Sequence, residues 1–300
     1  MSDVFTKFPE VLDSTMITTY RSCPHKFYRE YCENWKVSTP SVHLHAGAAF
    51  AKGLEVARLA FFGGVAPRET AEEMGIAALL QAYGDFDCPE DSAKSATRMA
   101  GALEYYFSTY PMDQEMAPPH EIAGKPAVEF NFAEPLPILH PDTGNPLILC
   151  GRFDQIVDYA GGVWGEDDKT ASQLGATWPK QWDMRFQFSA YCWGARRAGI
   201  ELQGFLVRGV SILKRGYDNM QAMTYRPGWM LDRWEAGMLR TVEHMIADWK
   251  AQRFDLNEGD SCNAYGGCAL RTVCLSENPD PWLASGFTKR VWLPLTREEA

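Results

Sequence analysis

The sequence predicts an α/β protein in which helices flank a small mixed sheet. Segments towards both ends carry apolar residues three and four positions apart, as amphipathic helices do, whereas the middle alternates or runs apolar over short lengths, as strands do. The 300 residues are 46% hydrophobic, enough for one substantial core. We therefore expect a single domain, with a mainly helical part over 1–125, a sheet-bearing core over 126–227 and a C-terminal helix and cysteine segment over 228–300.

Helices are predicted on both sides of the middle region. The first, over 14–35, has Ser14 as its N-cap, because a serine hydroxyl can accept a hydrogen bond from the first helical turn. Apolar residues recur at helical spacing in each of the others. These span 46–62, 67–83, 91–109, 183–199 and 228–252.

Strands are predicted where the period changes. The segments are AVEFNF (127–132), PLILCGRFDQIVDY (146–159), GVWGEDDKT (162–170), 203–214 and 217–226. Ala160–Gly162 supplies a turn in the middle of this region, and Arg215 and Gly216 supply another. We expect the first three strands to be antiparallel and the last two to form a hairpin. The proline-containing stretch over 111–146 is predicted to be a long connecting loop within the domain, interrupted by the strand-like segment AVEFNF.

Bulk composition limits the possible function classes. The net charge of −10 would repel a polyanion, so a nucleic-acid partner would need a local basic surface and metal ions on acidic residues. The sequence has no apolar run long enough to span a bilayer, and its first residues do not resemble a secretory signal. Eight cysteines in such a chain favour reduced thiols, some of them metal ligands. We expect a cytoplasmic protein.

Carboxylates and a lysine cluster on neighbouring strands. Alternation in the third strand places Asp167 and Lys169 on one face and Asp168 on the other, and Asp154 on the preceding strand can reach the same end of the sheet. Two converging carboxylates suit Mg²⁺ or Mn²⁺, with the carbonyl of Asp168 as a further ligand. Lys169 could then hold or deprotonate a water aimed at phosphorus. The alternative is an exposed hairpin with a surface ion pair.

The order of these residues resembles the PD-(D/E)XK nucleases, in particular the RecB-like branch that includes CRISPR-associated and phage exonucleases. The matching pieces are GRFD (Gly151–Asp154), DDKT (Asp167–Thr170) and Gln187 with Tyr191 as Q-x-x-x-Y. The resemblance implies a restriction-endonuclease-like mixed sheet. It also implies that Asp154 and Asp167 bind the metal, that Lys169 is catalytic and that Gln187 and Tyr191 lie near the DNA path.

One position departs from the family pattern. Where these nucleases usually place a metal-binding histidine, in G-x-x-x-H-x-x-x-E, this chain has Ala51. Glu55, one helical turn further on, could serve as the ligand instead, or it could be an ordinary solvated acid. The departure also leaves open an inactive descendant that binds nucleic acid or acts as an adaptor.

Cysteines recur near the end of the chain. Cys262, Cys268 and Cys274 lie within thirteen residues, and a closed thiolate site needs a fourth cysteine, from Cys23, Cys32, Cys88, Cys150 or Cys192. In the resembling nucleases that carry iron–sulfur clusters, one cysteine lies early in a C-P-x-x-F/Y context, which points to Cys23. The resemblance thus implies a [4Fe–4S] cluster, and zinc could use the same four sulfurs. We expect Cys32, Cys150 and Cys192 to be core residues.

A basic and aromatic segment follows the D-x-K strand. Lys180 and Arg185 could contact phosphates and Trp182 could stack on an unpaired base, although aromatic residues at this density also form cores. The sequence as a whole predicts a metal-dependent DNA exonuclease acting on single-stranded ends, in a bacterial or phage-infected cell. Phage recombination, DNA repair or a CRISPR-type complex would supply its partners. A metal-stapled interaction protein unrelated to nucleic acid is the remaining alternative.

Overall fold

The computed structural model describes residues 6–39, 41–213, 215–263, 267–296 and the backbone of 298–299. The helices are α1 Ser14–Ser22, α2 Pro24–Phe27, α3 Val42–Phe62, α4 Arg68–Tyr83, α5 Ala96–Thr109, α6 Phe186–Arg197, α7 Gly228–Ala251, α8 Arg271–Cys274 and α9 Asp280–Gly286. Short π and 3₁₀ turns lie at Tyr28–Cys32, Met112–Gln114, Pro179–Trp182 and Asp260–Cys262.

Strands occupy the middle of the chain and both of its ends. They are β1 Val11–Asp13, β2 Trp35–Val37, β3 Glu121–Ile122, β4 Lys125–Pro126, β5 Asn131–Leu139, β6 Pro146–Arg152, β7 Gln155–Tyr159, β8 Gly162–Ala171, β9 Gly204–Leu213, β10 Gly216–Tyr225, β11 Phe287–Lys289, β12 Trp292–Leu293 and β13 Glu298–Glu299. Lys214, which the sequence assigns to the end of a strand, lies outside the described residues.

Two compact units divide the chain. One consists of Met1–Thr39, Phe132–Gly151 and Trp229–Ala300, and the other of Pro40–Asn131 and Arg152–Gly228. The first holds a three-stranded sheet in the order β1-β6-β5. The second holds a four-stranded sheet in the order β10-β9-β8-β7. In this second sheet the β8–β9 pair is parallel and the two outer pairs are antiparallel, so the sheet is mixed.

Helices cover both faces of the four-stranded sheet. On one face, α3, α4 and α5 form an apolar core that includes Val210 and Ile212 of β9. On the other face, Phe188 of α6 stacks on Phe205 of β9, with the ring centroids 4.2 Å apart. Because side chains alternate along a strand, neighbouring residues of β8 face different helices. This alternation decides what each residue of the D-x-K segment contacts.

The second predicted strand is in fact two strands of different sheets. β6 pairs with β1 in the three-stranded sheet, whereas β7 pairs with β8 in the four-stranded one. The chain changes sheet at Phe153 and Asp154, which lie between them. The predicted strand over 127–132 is also wrong for the most part, since β5 begins only at Asn131. The two prolines of β5, Pro135 and Pro137, are tolerated because β5 lies at a sheet edge.

The predicted helix over 14–35 is broken after Ser22. Cys23 has an extended backbone, with φ −161° and ψ 109°, and Pro24 begins the next helix. A residue that precedes proline is disfavoured in the helical conformation, which explains the break. The N-cap also differs from the prediction: Asp13, and not Ser14, caps α1 by accepting a hydrogen bond from the backbone N–H of Met16 at 2.8 Å.

Candidate active site

A hairpin turn aligns the two carboxylates predicted to share a metal ion. Ala160 and Gly161 both have positive φ, the geometry of a tight turn between β7 and β8. The register pairs Gln155 with Glu166, so Asp154, just before β7, lies next to the strand position of Asp167. The Oδ2 atom of Asp154 accepts a hydrogen bond from the backbone N–H of Asp168 at 2.9 Å. The turn therefore fixes Asp154 beside the D-x-K segment.

Asp167 and Lys169 form an ion pair on the α6 face of the sheet. The Lys169 Nζ and Asp167 Oδ2 atoms are 2.5 Å apart, and Asp167 is 3% exposed. Burial raises the pKa of Asp167 from 3.8 to about 6; the ammonium of Lys169 opposes this rise, and the negative charge of Asp154 adds to it. Burial disfavours the charged form of Lys169, but Asp167 and Asp154 outweigh it and raise the pKa of this lysine.

These charges fit a hard divalent cation. Asp154 is held beside Asp167 by its hydrogen bond from the backbone N–H of Asp168, and its negative charge adds to the rise in the pKa of Asp167. Among the described residues, the buried Asp167 Oδ2 atom has no hydrogen-bond donor besides its ion pair with Lys169. A cation between the two carboxylates would relieve that repulsion. Mg²⁺ commonly uses one or two protein carboxylates and takes its other oxygens from water and phosphate. Two aspartates therefore fall within the usual protein contribution to a Mg²⁺ site.

Asp168 points to the opposite face of β8. Its Oδ2 atom lies 2.7 Å from Nη1 of Arg58 on α3, so its carboxylate cannot reach an ion held between Asp154 and Asp167. The prediction that the backbone carbonyl of Asp168 is a metal ligand is not affected by this contact and stays a prediction. Glu55 is paired with Lys52, with Oε1 and Nζ 2.7 Å apart. Among the residues that the structure describes, no three histidine, cysteine, aspartate or glutamate side chains are arranged to hold a metal ion, so Glu55 does not complete a three-carboxylate group.

The helix α6 covers the Asp167 face. Gln187 Nε2 donates a hydrogen bond to the Tyr191 hydroxyl at 3.2 Å. Tyr191 is buried, and its ring centroid is 4.9 Å from that of Phe153, the neighbour of Asp154. Tyr191 also contributes to the electrostatic environment of Lys169. The structure thus brings Tyr191 to the Lys169 side of the sheet and holds Gln187 against it.

The segment between β8 and α6 divides into exposed cations and buried rings. Lys180 and Arg185 are exposed. Trp182 is only 6% exposed and packs against Trp178 and Phe188, with ring centroids 5.2 Å and 5.8 Å away. Its ring is therefore not open to a nucleic-acid base in this conformation, and it serves the core instead. The guanidinium carbon of Arg185 lies 5.9 Å from the centre of the Trp182 ring.

Comparison with known proteins places this arrangement in a family. The family model described as the PD-(D/E)XK nuclease superfamily matches residues 14–275, most of the chain. The chain belongs to the PD-(D/E)XK nuclease superfamily. Its α/β fold, with a mixed sheet flanked by helices, is the one predicted from the sequence, and that prediction is confirmed.

Two solved structures resemble this nuclease-superfamily chain. A protein from Eubacterium rectale named "Putative exonuclease" shares 11% sequence identity, with a TM-score of 0.48 over 83% of this chain and 85% of that one. The protein SSO0001 shares 13% identity, with a TM-score of 0.29 over 68% of this chain and 79% of that one. A comparison with curated protein sequences finds no match.

The four cysteines predicted to bind a cluster line one cavity of this nuclease-superfamily protein. The cavity has a volume of about 480 Å³, and its lining includes Cys23, Cys262, Cys268 and Cys274. Burial raises the pKa of the Cys274 thiol, and the other three cysteines add to the rise, so their sulfurs lie within electrostatic reach of it. In the described residues the four thiols do not form a ready-made ligand set. Cys32, Cys150 and Cys192 are buried, as core residues would be.

Sequence reasoning missed a buried ionic network behind the D-x-K strand. On the face opposite Asp167, Arg58 of α3 contacts both Glu166 and Asp168, and Arg208 of β9 makes two 2.7–2.8 Å contacts with Glu115. A weak signal was present, because Arg58 interrupts the apolar stripe of α3 directly after Ala57. Its partners lie 108 and 110 residues away, a pairing that one sequence does not reveal.

In the described part of the chain, no helix combines the length and the apolar character needed to cross a membrane.

Proposed function

We propose that the protein is a divalent-metal-dependent deoxyribonuclease that degrades DNA from single-stranded ends. The observation that carries the proposal is the convergence of Asp154, Asp167 and Lys169 on one face of the β7–β8 hairpin. Membership of a nuclease superfamily supports phosphodiester hydrolysis as the reaction. The exonuclease mode rests on the resemblance of GRFD, DDKT and Q-x-x-x-Y to the RecB-like branch.

The residues divide the chemistry among themselves. Asp154 and Asp167 would hold Mg²⁺ or Mn²⁺, with the carbonyl of Asp168. When bound, such an ion lowers the pKa of a coordinated water and neutralises charge on the phosphate. Lys169 has a raised pKa in the metal-free protein and is an ammonium at neutral pH. As an ammonium it would donate hydrogen bonds to water or phosphate oxygens. A cation between the two aspartates would offset the charges that raise this pKa, so Lys169 would either hold the nucleophilic water or take its proton.

The substrate strand would be held by charge near the D-x-K strand. Lys180 and Arg185 are exposed in the segment that leads from β8 to α6, where they can contact phosphates. Because the chain carries a net charge of −10, these local cations oppose a general repulsion of DNA, and binding should weaken steeply with salt. We expect the protein to act in the cytoplasm, with a recombination or CRISPR-type protein as partner.

We also propose that Cys23, Cys262, Cys268 and Cys274 hold a structural [4Fe–4S] cluster. Support comes from the shared cavity and from the electrostatic effect of the other thiols on Cys274. Four thiolates around one cavity also suit zinc, which is the alternative. In either form the group would join the start of the nuclease chain to residues more than two hundred positions later, a stabilising and not an electron-transferring role.

A second candidate function is a non-catalytic protein that binds nucleic acid. Ala51 stands where the resembling nucleases carry a metal-binding histidine, and the carboxylate of Glu55 is paired with Lys52. A site with only two carboxylate ligands could bind metal too weakly for turnover. Such a protein would keep the fold and bind DNA without cutting it.

Hydrolysis of labelled oligonucleotides distinguishes the candidates. We expect the purified protein with Mn²⁺ to shorten linear single-stranded DNA stepwise from an end, to leave circular single-stranded DNA intact and to be inactive with EDTA. Lys169→Ala should lower the rate by at least about 100-fold, since general acid–base and charge-stabilising groups contribute about 10²- to 10⁴-fold. Lys125→Ala, at an exposed position in β4, is the matched control and should cut as the wild type does.

The other outcomes are equally definite. Salt-dependent DNA binding without cleavage, identical for the wild type and Lys169→Ala, would establish the non-catalytic alternative. Cleavage of circular DNA would exclude an obligate exonuclease. If the protein neither binds nor cuts DNA, the cysteine cavity would remain as a candidate site among the described residues, and an interaction protein would be the better description.

A further inference from the structure

The two faces of β8 carry different chemistry. Asp167 and Lys169 face α6, whereas Glu166 and Asp168 face α3 and α5, where they are almost fully buried. Because successive side chains alternate, residues 166 and 168 flank Asp167 on the strand and point away from it. Any group that binds both of these carboxylates therefore holds the backbone on either side of Asp167.

Arg58 is such a group. Its Nη2 atom lies 2.7 Å from Glu166 Oε1, and its Nη1 atom lies 2.7 Å from Asp168 Oδ2, so one guanidinium bridges the two carboxylates. Nη2 also donates a hydrogen bond to the hydroxyl of Tyr106 on α5 at 2.8 Å. A planar guanidinium has fixed donor directions, so this fork sets the positions of its partners as well as their charge.

The same network reaches the neighbour of the other proposed metal ligand. Gln155, which follows Asp154, donates a hydrogen bond from Nε2 to Glu166 Oε1 at 2.6 Å. Asp154 in turn accepts a hydrogen bond from the backbone N–H of Asp168. Both segments that carry a proposed metal-binding aspartate are thus tied to carboxylates that Arg58 holds.

Stability alone does not explain this arrangement. Taking several charges out of water is expensive, and replacing a buried ionic cluster by well-packed apolar residues is often neutral or stabilising. The neighbouring positions of the same helix stripe, among them Leu54, Ala57 and Ala60, are apolar and pack in the core. An arginine at this position therefore needs a reason other than packing.

We propose that Arg58 is a positioning residue which, through Glu166 and Asp168, sets the separation of Asp154 and Asp167 for metal binding. The inference rests on the proposed function and deepens it. Arg58 touches neither the substrate nor the ion in this proposal. It acts as an outer partner of the metal ligands, and loss of such partners typically lowers metal affinity or activity by about 10- to 100-fold.

The test must avoid leaving buried carboxylates without a partner. Arg58→Met combined with Glu166→Gln and Asp168→Asn removes the fork and its three charges together. Arg208, whose Nε atom lies 3.4 Å from Glu166 Oε2, keeps its ion pair with Glu115. We expect this triple variant to fold with a melting temperature close to that of the wild type. We also expect its Mn²⁺ affinity, measured from the electron paramagnetic resonance signal of free Mn²⁺, and its kcat with Mn²⁺ each to fall by about 10- to 100-fold.

A surface cluster of the same chemistry supplies the matched control. Arg68 contacts Glu72 at 2.7 Å and Asp113 at 2.9 Å, and it lies on α4, outside the sheet. Arg68→Met with Glu72→Gln and Asp113→Asn should leave Mn²⁺ affinity and kcat unchanged. If the Arg58 triple variant fails to fold, Arg58→Lys decides: a lysine restores the charge and the melting temperature, but its single ammonium cannot form the fork, so Mn²⁺ affinity should still fall.

The possible results separate the two proposals. A folded triple variant with Mn²⁺ affinity and kcat within twofold of the wild type would overturn the positioning role and leave the nuclease proposal intact. Full recovery of both properties in Arg58→Lys would assign Arg58 a purely electrostatic role. A wild-type protein that neither binds Mn²⁺ through Asp167 nor cuts DNA would overturn the proposed function, and the positioning role with it.

Discussion

The charged form of Asp167 lowers the stability of the folded protein when no metal is bound. Its pKa is raised from 3.8 to about 6, first by burial and then by Asp154, with Lys169 opposing the rise. The folded protein therefore binds the Asp167 proton more tightly than the unfolded chain does. Protonation of Asp167 therefore stabilises the folded protein. This stabilisation is fully present below pH 3.8 and is lost as the pH rises through about 6. At neutral pH the residue is held charged in a site that favours the neutral form.

Asp167→Asn should therefore stabilise the metal-free protein at high pH. An asparagine resembles the protonated carboxyl and removes the repulsion from Asp154. A pKa rise of this size corresponds to about 1–3 kcal/mol, which we expect to see as a higher melting temperature of the variant in EDTA at pH 8. The advantage should shrink as the pH falls to 4, where Asp167 of the wild type is protonated. Thermal melts across this pH range provide the measurement.

Addition of Mn²⁺ should reverse the order of the two proteins. The wild type gains stability from an ion that binds only the folded state, whereas the variant has lost a ligand. Asp158→Asn serves as the control, because Asp158 lies on the same hairpin but is exposed and paired with His120. If Asp167→Asn is less stable than the wild type at pH 8 without metal, the ion pair with Lys169 outweighs the repulsion, and the case for a strained metal ligand is wrong.

The β8 strand depends on a close approach at Gly165. A Cβ atom at this position would lie 2.5 Å from the ring of Phe205, which is itself stacked on Phe153 at 5.7 Å and on Phe188 at 4.2 Å. Because Gly165 has no side chain, the ring of Phe205 can pack directly against the backbone of β8 at the residue before Glu166. The stack in turn packs against Tyr191, with Tyr191 and Phe205 ring centroids 6.1 Å apart.

Gly165→Ala should consequently destabilise the protein. The ring of Phe205 is held between other rings and has little room to move, so the extra methyl group forces β8 or the stack to shift. Overpacking of this kind typically costs about 1–3 kcal/mol, which denaturant unfolding would measure. Gly237→Ala in α7 is the control: nothing lies within 4 Å of its Cβ position, and alanine favours a helix by about 0.5–1 kcal/mol, so it should stabilise. Equal effects of the two variants would contradict this account of β8.

Elements of the fold differ in how far the sequence predicts them. Helical periodicity predicts α3, α4 and α7 to within a few residues because each buries one stripe of its surface. The prediction for α6 is equally close, although this helix is buried on all sides over Phe188–Ala195. The change of sheet at Asp154 is not predictable in this way. The one glycine of the segment over 146–159, Gly151, lies inside β6 and not at the break, so only pairing with distant strands decides that the segment is two elements.

At the scale of the whole molecule, the local parts of the site are predictable and the long-range parts are not. Alternation within β8 is a local property, and the structure places Asp167 and Lys169 on one face as alternation predicts. The bridge from Arg58 to Glu166 and Asp168 spans more than one hundred residues and has no local signature. The cysteines lie between these cases: their spacing suggests a site near the end of the chain, but only the resemblance selected Cys23.

The cysteine cavity joins distant parts of one unit. The Asn257 side chain donates a hydrogen bond to the Ser22 carbonyl at 2.6 Å, and the backbone N–H of His25 donates to the Asp255 carbonyl at 3.2 Å, so the chain around Cys23 is already held beside the C-terminal segment. Closure of so long a loop by a metal group restricts the unfolded chain and should stabilise this unit. The four thiols should therefore affect both colour and stability.

We expect anaerobically purified protein to show a broad brown absorption band that Cys23→Ala and Cys268→Ala each abolish, together with a lower melting temperature. Loss of one of four thiolates opens the site, and metal binding free energy is also folding free energy. Cys88→Ala is the matched control, since Cys88 is partly exposed, packs against the α3–α5 core and does not line the cavity.

A colourless sample that contains zinc would show that the four cysteines hold zinc and not an iron–sulfur cluster. A colourless, metal-free sample whose stability is unchanged by Cys23→Ala would show that the four thiols hold no metal.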